Sequence, residues 1–218
     1  MENVLLAAFL VVSTASLAHG QDSEALPLLS WPVTGSPLAE VEVDERPPMK
    51  LEGDKPFRLE FGRGSGLMGL ETITIERDRV VLCRRNFKQI DEVTWRHWEV
   101  STNGVGPNFT RKVAELIDNF KILDLHREYH ANVFDGTQWV IWISQGKTEK
   151  AVYFNNHFPD RVQKFAVALD QELRAVLPKE IQWIPVPKEQ SREHEKAIWR
   201  SLRPPTEPTV ESTESSSE

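Results

Sequence analysis

The chain has 218 residues, one cysteine and a formal charge of −7, and the charge is unevenly placed. Residues 22–56 carry −5 and residues 203–218 carry −3, which leaves residues 57–202 at +2. A body this close to neutral lacks the basic excess of a nucleic-acid-binding domain. One cysteine, Cys83, excludes an intramolecular disulfide, so stability must come from a packed core.

The first twenty residues read as a signal peptide. The apolar run Val4 to Val12 leads into small residues, and Ala18-His19-Gly20 and Ser16-Leu17-Ala18 both offer small-x-small cleavage sequences. A cut after Gly20 is expected, with Ala18 as the second choice. The n-region holds Glu2 and no Lys or Arg, which points the other way, to a buried N-terminal helix. The run is short of the roughly 20 residues that cross a bilayer as a helix. No later segment is apolar enough, so no membrane span is expected once the leader is removed. Residues 21–56 are rich in proline, with Glu40, Glu42, Asp44 and Glu45 between the prolines, and read as an extended acidic spacer. Within it, Leu28, Leu29 and Trp31, and further on Leu38 and Val41, are apolar spots able to dock on the domain.

Residues 57–186 form the expected globular domain, a normal size for one core. Phe57, Leu59 and Phe61 alternate with Arg58 and Glu60, the pattern of a half-buried strand. Leu70 to Glu76, a turn at Arg77-Asp78-Arg79 and Val80 to Phe87 read as a hairpin. A fourth strand is expected over Val93 to Val100. The period then changes. Phe109, Val113, Leu116, Ile117 and Phe120 recur at helical spacing, with Asn108 or Thr110 as the cap. After a connector bearing Leu123, Leu125 and Tyr129, Trp139 to Ile143 and Ala151 to Phe154 make a second hairpin about Ser144-Gln145-Gly146. Pro159 is expected as the first residue of a second helix with Val162, Phe165, Ala166, Leu169, Leu173 and Val176 on one face. Ile181 to Val186 reads as an edge strand held there by Pro185 and Pro187. Residues 187–202 are expected as an appended helix, and 203–218 as a disordered acidic tail. The fold class is α+β: an antiparallel sheet with two amphipathic helices on one face, in the order ββββ-α-ββ-α, then a short strand and helix.

This layout resembles an uncharacterised family of exported bacterial domains, classed as a domain of unknown function. The residues that carry the resemblance are Gly62-Arg63-Gly64 after the first strand and Val81-Leu82 at the end of the first hairpin. Phe120 and Leu125 before Tyr129, and Pro159 opening the last helix, complete it. It covers residues 57–173. The family pattern has cysteines near Ser65 to Leu70, and this chain has none there. The resemblance implies an α+β fold and an exported location, and brings no activity and no catalytic residues.

Several residues suggest sites. His126 and His130 stand four apart in LDLHREYH, which places them on one face if the segment is helical, and Asp135 or His157 would complete a metal set. The spacing departs from H-E-x-x-H, because the glutamate is at 128. Solvated surface histidines are the plainer reading. Seven tryptophans are present, and strand parity sends Trp95 and Trp98, and likewise Trp139 and Trp142, to opposite faces. One of each pair belongs under the helices. The other, Trp98 and Trp142, lies on the second sheet face, either covered or offered as an aromatic platform for a protein or a carbohydrate. Arg77, Arg79, Arg84, Arg85 and Lys88 cluster about the first hairpin, as a solvated edge or as contacts for the protein's own acidic flanks or an acidic partner. Cys83 sits among Val80, Val81 and Leu82 and reads as a small buried hydrophobe. Gly62 to Gly66 looks like a phosphate loop but lacks the Gly-Lys-Ser/Thr ending. Asn108-Phe109-Thr110 is a glycosylation sequon, relevant in a eukaryotic secretory pathway.

No cofactor is implied by these residues. Their sum points to an exported, non-catalytic binding or interaction module, with Trp98, Trp142, Arg84 and Arg85 as binding residues. The competing reading is a small hydrolase or metal-dependent enzyme built on His126, His130 and Asp135.

Overall fold

The computed structural model describes residues 36–53, 55–65, 69–86, 97–133, 136–187 and 189–191. The expected leader, the expected tail, most of the appended helix, and Trp31, Trp95, Asp135 and Trp199 lie outside them. The described chain is α+β. Its strands are β1 (Leu38–Glu42), β2 (Arg58–Ser65), β3 (Gly69–Glu76), β4 (Arg79–Asn86), β5 (His97–Gly104), β6 (Glu128–Ala131), β7 (Gln138–Gln145), β8 (Thr148–Asn155) and β9 (Ile184–Pro185). The helices are α1 (Pro107–Asn119) and α2 (Asp160–Val176), with a 3-10 turn at Ile122–Asp124.

The strands form one nine-stranded sheet in the order β1-β6-β8-β7-β2-β3-β4-β5-β9. It is mixed, which corrects the all-antiparallel expectation: β6 runs parallel to β8, pairing Glu128 with Tyr153 and Tyr129 with Phe154. The strand and helix order is also corrected, because β1 and β6 were not expected. β1 falls in the segment read as a spacer, and β6 in the one read as a connector. Both are short, with five and four residues, so neither carries enough alternation to stand out. The β7–β8 hairpin lies between β6 and β2, and β6 settles against its outer strand.

Alternation assigns the faces. Leu59 and Phe61 of β2, Ile73 and Ile75 of β3, and Val80 and Leu82 of β4 share one buried cluster with Ile141 and Ile143 of β7 and Val152 and Phe154 of β8. Phe109, Val113 and Ile117 of α1 and Val162, Phe165, Ala166, Leu169 and Leu173 of α2 complete it, so both helices cover the same sheet face. Pro107 opens α1 behind Gly106, and no side chain caps the end. Asn108 and Thr110 are therefore inside the helix, and the Thr110 hydroxyl donates to the carbonyl of Arg77. Pro159 is the N-cap of α2 rather than its first residue, so the helix begins one place later than expected, and Leu177 closes it ahead of Pro178. The two hairpins turn tightly. Arg77 (φ 53°) sits in the first turn and Gly146 (φ 62°) in the second, both left-handed; the glycine takes that conformation without a Cβ penalty.

Residues 36–53 and Lys55 are fastened to the sheet rather than trailing from it. The backbone N–H of Ser36 donates to the carbonyl of Asn156 (2.9 Å), and that of Arg127 to the carbonyl of Glu42 (2.9 Å). The Lys150 ammonium meets the Asp44 carboxylate at 2.7 Å, with both side chains under a tenth exposed. The Gln145 amide donates to the carbonyl of Lys55 (2.8 Å) and accepts the N–H of Glu52 (2.7 Å). Val41, Met49 and Leu51 pack on the main core.

Candidate functional site

The face without helices divides in two. Toward β3, β4 and β5 it is closed at one end, where Leu70, Thr72, Cys83 and Trp98 are buried, while Thr74, Val81 and Val100 are half-buried and Thr102 is exposed. Toward β2, β7, β8 and β6 it is partly open. There Trp142 and Tyr153 are half-buried and pack on a small buried pair, Leu70 and Val140. Register explains why they meet. Trp142 stands opposite Glu60 on one side and Ala151 on the other, while Tyr153 stands opposite Val140, one step along the same face.

Polar groups grip the edges of this pair. The Trp142 indole Nε1 donates to Glu149 Oε2 at 3.2 Å, and the Arg58 guanidinium lies 5.8 Å from the indole centre. Arg58 also pairs with Glu60. Beyond Tyr153 the His130 ring lies 5.7 Å away, and its Nε2 is 2.7 Å from Glu128 Oε2. A strip from Arg58 through Trp142 and Tyr153 to His130 thus crosses four strands, about 14 Å at the usual strand spacing. At the Arg58 end it adjoins a hollow of about 260 Å³ between Arg58, Glu76, Arg77 and Ser144. Flat ring faces flanked by charged donors and acceptors suit ligands with alternating apolar and polar surface.

The four binding residues expected from the sequence do not come together. Trp142 belongs to the strip. Trp98 shares its face but lies on β5, about 19 Å away across four strand spacings, and is buried. Arg85 stands opposite Trp98 in the β4–β5 register, 5.7 Å from its ring. Arg84, one residue earlier, points to the helix side, where Nε donates to Glu99 Oε2 (2.9 Å) and the guanidinium stacks 3.9 Å from the Trp183 ring centre.

The metal candidates separate too. Their segment is not helical, since it runs from a 3-10 turn into β6, so His126 and His130 do not share a helix face. The His126 ring lies 6.1 Å from Tyr129, and His157 Nδ1 is 2.9 Å from the carbonyl oxygen of Ser36. Among the described residues no three His, Cys, Asp or Glu side chains are grouped to hold a metal ion. The thiol of Cys83 is pushed up to about 12 by burial and by the nearby negative charge of Glu71, which keeps it protonated at neutral pH. Gly62 to Ser65 is strand, not a phosphate loop, and Gly64 is required by the approach of the Gly69 carbonyl, which a Cβ would strike.

A second polar group was not foreseen. On the helix side Arg63 of β2 stands opposite Glu71 of β3, and Arg84 of β4 opposite Glu99 of β5. Burial lowers the Arg63 pKa to about 10, against the pull of Glu71 and Asp170. Burial raises the Glu71 carboxyl, opposed by the Arg85 backbone N–H and by the charges of Arg63, Arg85 and Arg84. Burial would also raise Glu99, but hydrogen bonds from Asn86 (2.7 Å) and Arg84 and the contact with His97 outweigh it and leave its pKa lowered. The signal was present in the strand pattern. Leu59-Phe61-Arg63, Ile75-Ile73-Glu71 and Val80-Leu82-Arg84 each end a buried series on a charge. Alternating signs along this end of the sheet neutralise one another, which is the condition for burying them.

Comparison with family models, with curated proteins and with solved structures finds no match to this chain.

Proposed function

We propose that the protein is an exported, non-catalytic binding module that holds a protein or carbohydrate ligand on the helix-free face of its sheet. The observation that carries this reading is the half-buried pair Trp142 and Tyr153, flanked by Arg58, Glu149 and His130, on a side that neither helix covers. Ring faces of this kind contribute area at little cost in conformational entropy, and the charged neighbours orient what stacks on them. The ionisable groups around the strip are closed on one another, Arg58 with Glu60 and His130 with Glu128, which suits recognition better than proton transfer. The exported location rests on the leader read in residues 1–20 and on the family resemblance over 57–173.

The test is a titration of the purified chain with soluble oligosaccharides and, separately, retention of proteins from the exterior of the source cells. Trp142→Ala is expected to weaken whichever interaction is found by about tenfold or more, as for an aromatic anchor. Equal binding by the variant, or no ligand in either arm, refutes the reading. Mass spectrometry of exported protein should show a mature N-terminus at Gln21; recovery with Met1 in place contradicts the location.

A further inference from the structure

We infer that the outer edge of β1 is a docking site for an extended, basic segment of a partner protein, which adds to the sheet as a further strand. This surface adjoins the far end of the aromatic strip, where Glu40 stands opposite His130, and lies three strands from Trp142. β1 ends the strand order, and among the described residues it has a strand on one side only, β6. Leu38, Ala39, Glu40 and Glu42 are exposed. An edge strand presents a row of backbone donors and acceptors that another extended chain can satisfy.

Three observations distinguish β1 from an edge that is simply left over. It is held at both ends before any partner arrives. At the start Ser36 bonds to Asn156 and His157, and at the finish Arg127 holds Glu42 and the buried Lys150 holds Asp44. A strand already ordered loses little entropy on binding. It also contains no Lys, Arg or Pro, and its protection is a register shift between Leu38 and Glu40 and the charges of Glu40 and Glu42, which a basic segment would neutralise. The opposite edge, β9, has two residues and one of them is Pro185. Finally, exposed Leu38 and Val43 leave apolar surface beside the edge for a partner to cover.

Charge selects the occupant. Glu40 and Glu42 stand opposite His130 and Glu128, so their carboxylates share the helix-free face, spaced two residues apart. Glu42 has Arg127 at 3.2 Å, while Glu40 and Glu45 make no ion pair among the described residues. A second copy of β1 laid against this edge would set glutamates beside glutamates, which is unfavourable across strands. The chain's own ends fit no better: residues 1–35 contain no Lys or Arg, and residues 192–218 carry four bases against six acids. A segment with Lys or Arg at alternate positions and apolar residues between them satisfies both the carboxylates and the exposed Leu38 and Val43.

The experiment uses a fluorescein-labelled Thr-Lys-Val-Lys-Val-Lys-Thr peptide, with anisotropy read against the purified chain. A second peptide carries N-methyl groups at alternate residues along one edge, and a third replaces Lys by Glu. The lysine peptide is expected to bind in a salt-dependent way, and the other two are expected to fail. Glu40→Lys with Glu42→Lys is expected to weaken binding by about tenfold or more, and Glu40→Gln, a milder change, by a smaller factor. Trp142→Ala is expected to leave it unchanged, so failure here is separable from failure at the aromatic strip. Absence of binding, equal affinity for the methylated peptide, or unchanged affinity in both Glu40 variants overturns the inference. So does a dimer in sedimentation that the charge reversal dissociates, because the occupant is then a second copy.

Discussion

Replacing Asp44 by Ala removes the anion that holds Lys150 in the sheet margin, and the size of the effect follows from exposure. Asp44 accepts from the Arg46 side chain at 2.9 and 3.1 Å and from Lys150 at 2.7 Å. Arg46 contributes most to holding the Asp44 carboxyl well below the usual carboxylate range, against burial and with help from Lys150. Its own side chain is 60% exposed, however, so water takes over its hydrogen bonds when Asp44 is lost, at a cost of about 0–1 kcal/mol. Lys150 is 7% exposed and has no such replacement. Leaving a buried charge without its partner costs about 3–5 kcal/mol. At the low end of that range the midpoint of thermal unfolding falls by about 6–12 °C for a chain of this size. Asp44→Leu with Lys150→Met removes both charges and should recover most of the loss. Urea unfolding of the two single variants and the double variant measures the coupling. An Asp44→Ala loss under about 0.5 kcal/mol, the range of ordinary surface changes, or a double variant no better than the single, refutes the reasoning. The pH dependence gives a second check. A carboxyl with a depressed folded pKa stabilises fully above its unfolded value, 3.8, and the contribution is lost as pH falls through the folded value. The gap between the native chain and Asp44→Asn should hold steady at neutral pH and shrink progressively below about pH 4.

Glu71 should behave in the opposite sense. Its folded pKa is raised by burial above 4.5, so ionisation costs stability as pH rises through the folded value, and that cost is absent below the unfolded one. Glu71→Gln is expected to raise the thermal midpoint at pH 8 and to leave it unchanged at pH 4; a loss at pH 8 would show that the ionised carboxylate is a net stabiliser. Cys83 is expected to resist thiol reagents at pH 8 in the folded chain and to react at once in denaturant, because burial and Glu71 keep it protonated. Stoichiometric labelling of folded protein contradicts this.

Among the described residues, the open part of the sheet face follows from where the helices lie. Both helices sit on the same side, so the outward residues of β7 and β8 are left to form a surface of their own. Trp142 and Tyr153 are spaced by the pleat and packed against Leu70 and Val140 beside them on the same face, which places the rings on strands rather than on loops. Recognition surfaces built this way need little rearrangement on binding.

Local pattern alone determined a good deal about this chain. Two-residue periodicity in Phe57 to Phe61, Leu70 to Glu76 and Trp139 to Ile143, and the helical stripes beginning at Phe109 and Val162, are visible because each element is long enough to repeat its period. The α+β class follows from them. What required tertiary structure was everything carried by few residues or by pairing at a distance. β1 and β6 are too short to show a period, and β6 is parallel to β8 because the chain reverses into β7 and again into β8 before β8 lies beside β6. Asp44 meets Lys150 across 106 residues, a pairing that no spacing rule reaches. Arg84 and Arg85, alike in the sequence, are sent to opposite faces by the pleat, and Trp142 and Trp98 share a face yet differ in burial. Side-chain direction is a local property of a strand, but its neighbours are set by which strands lie beside it.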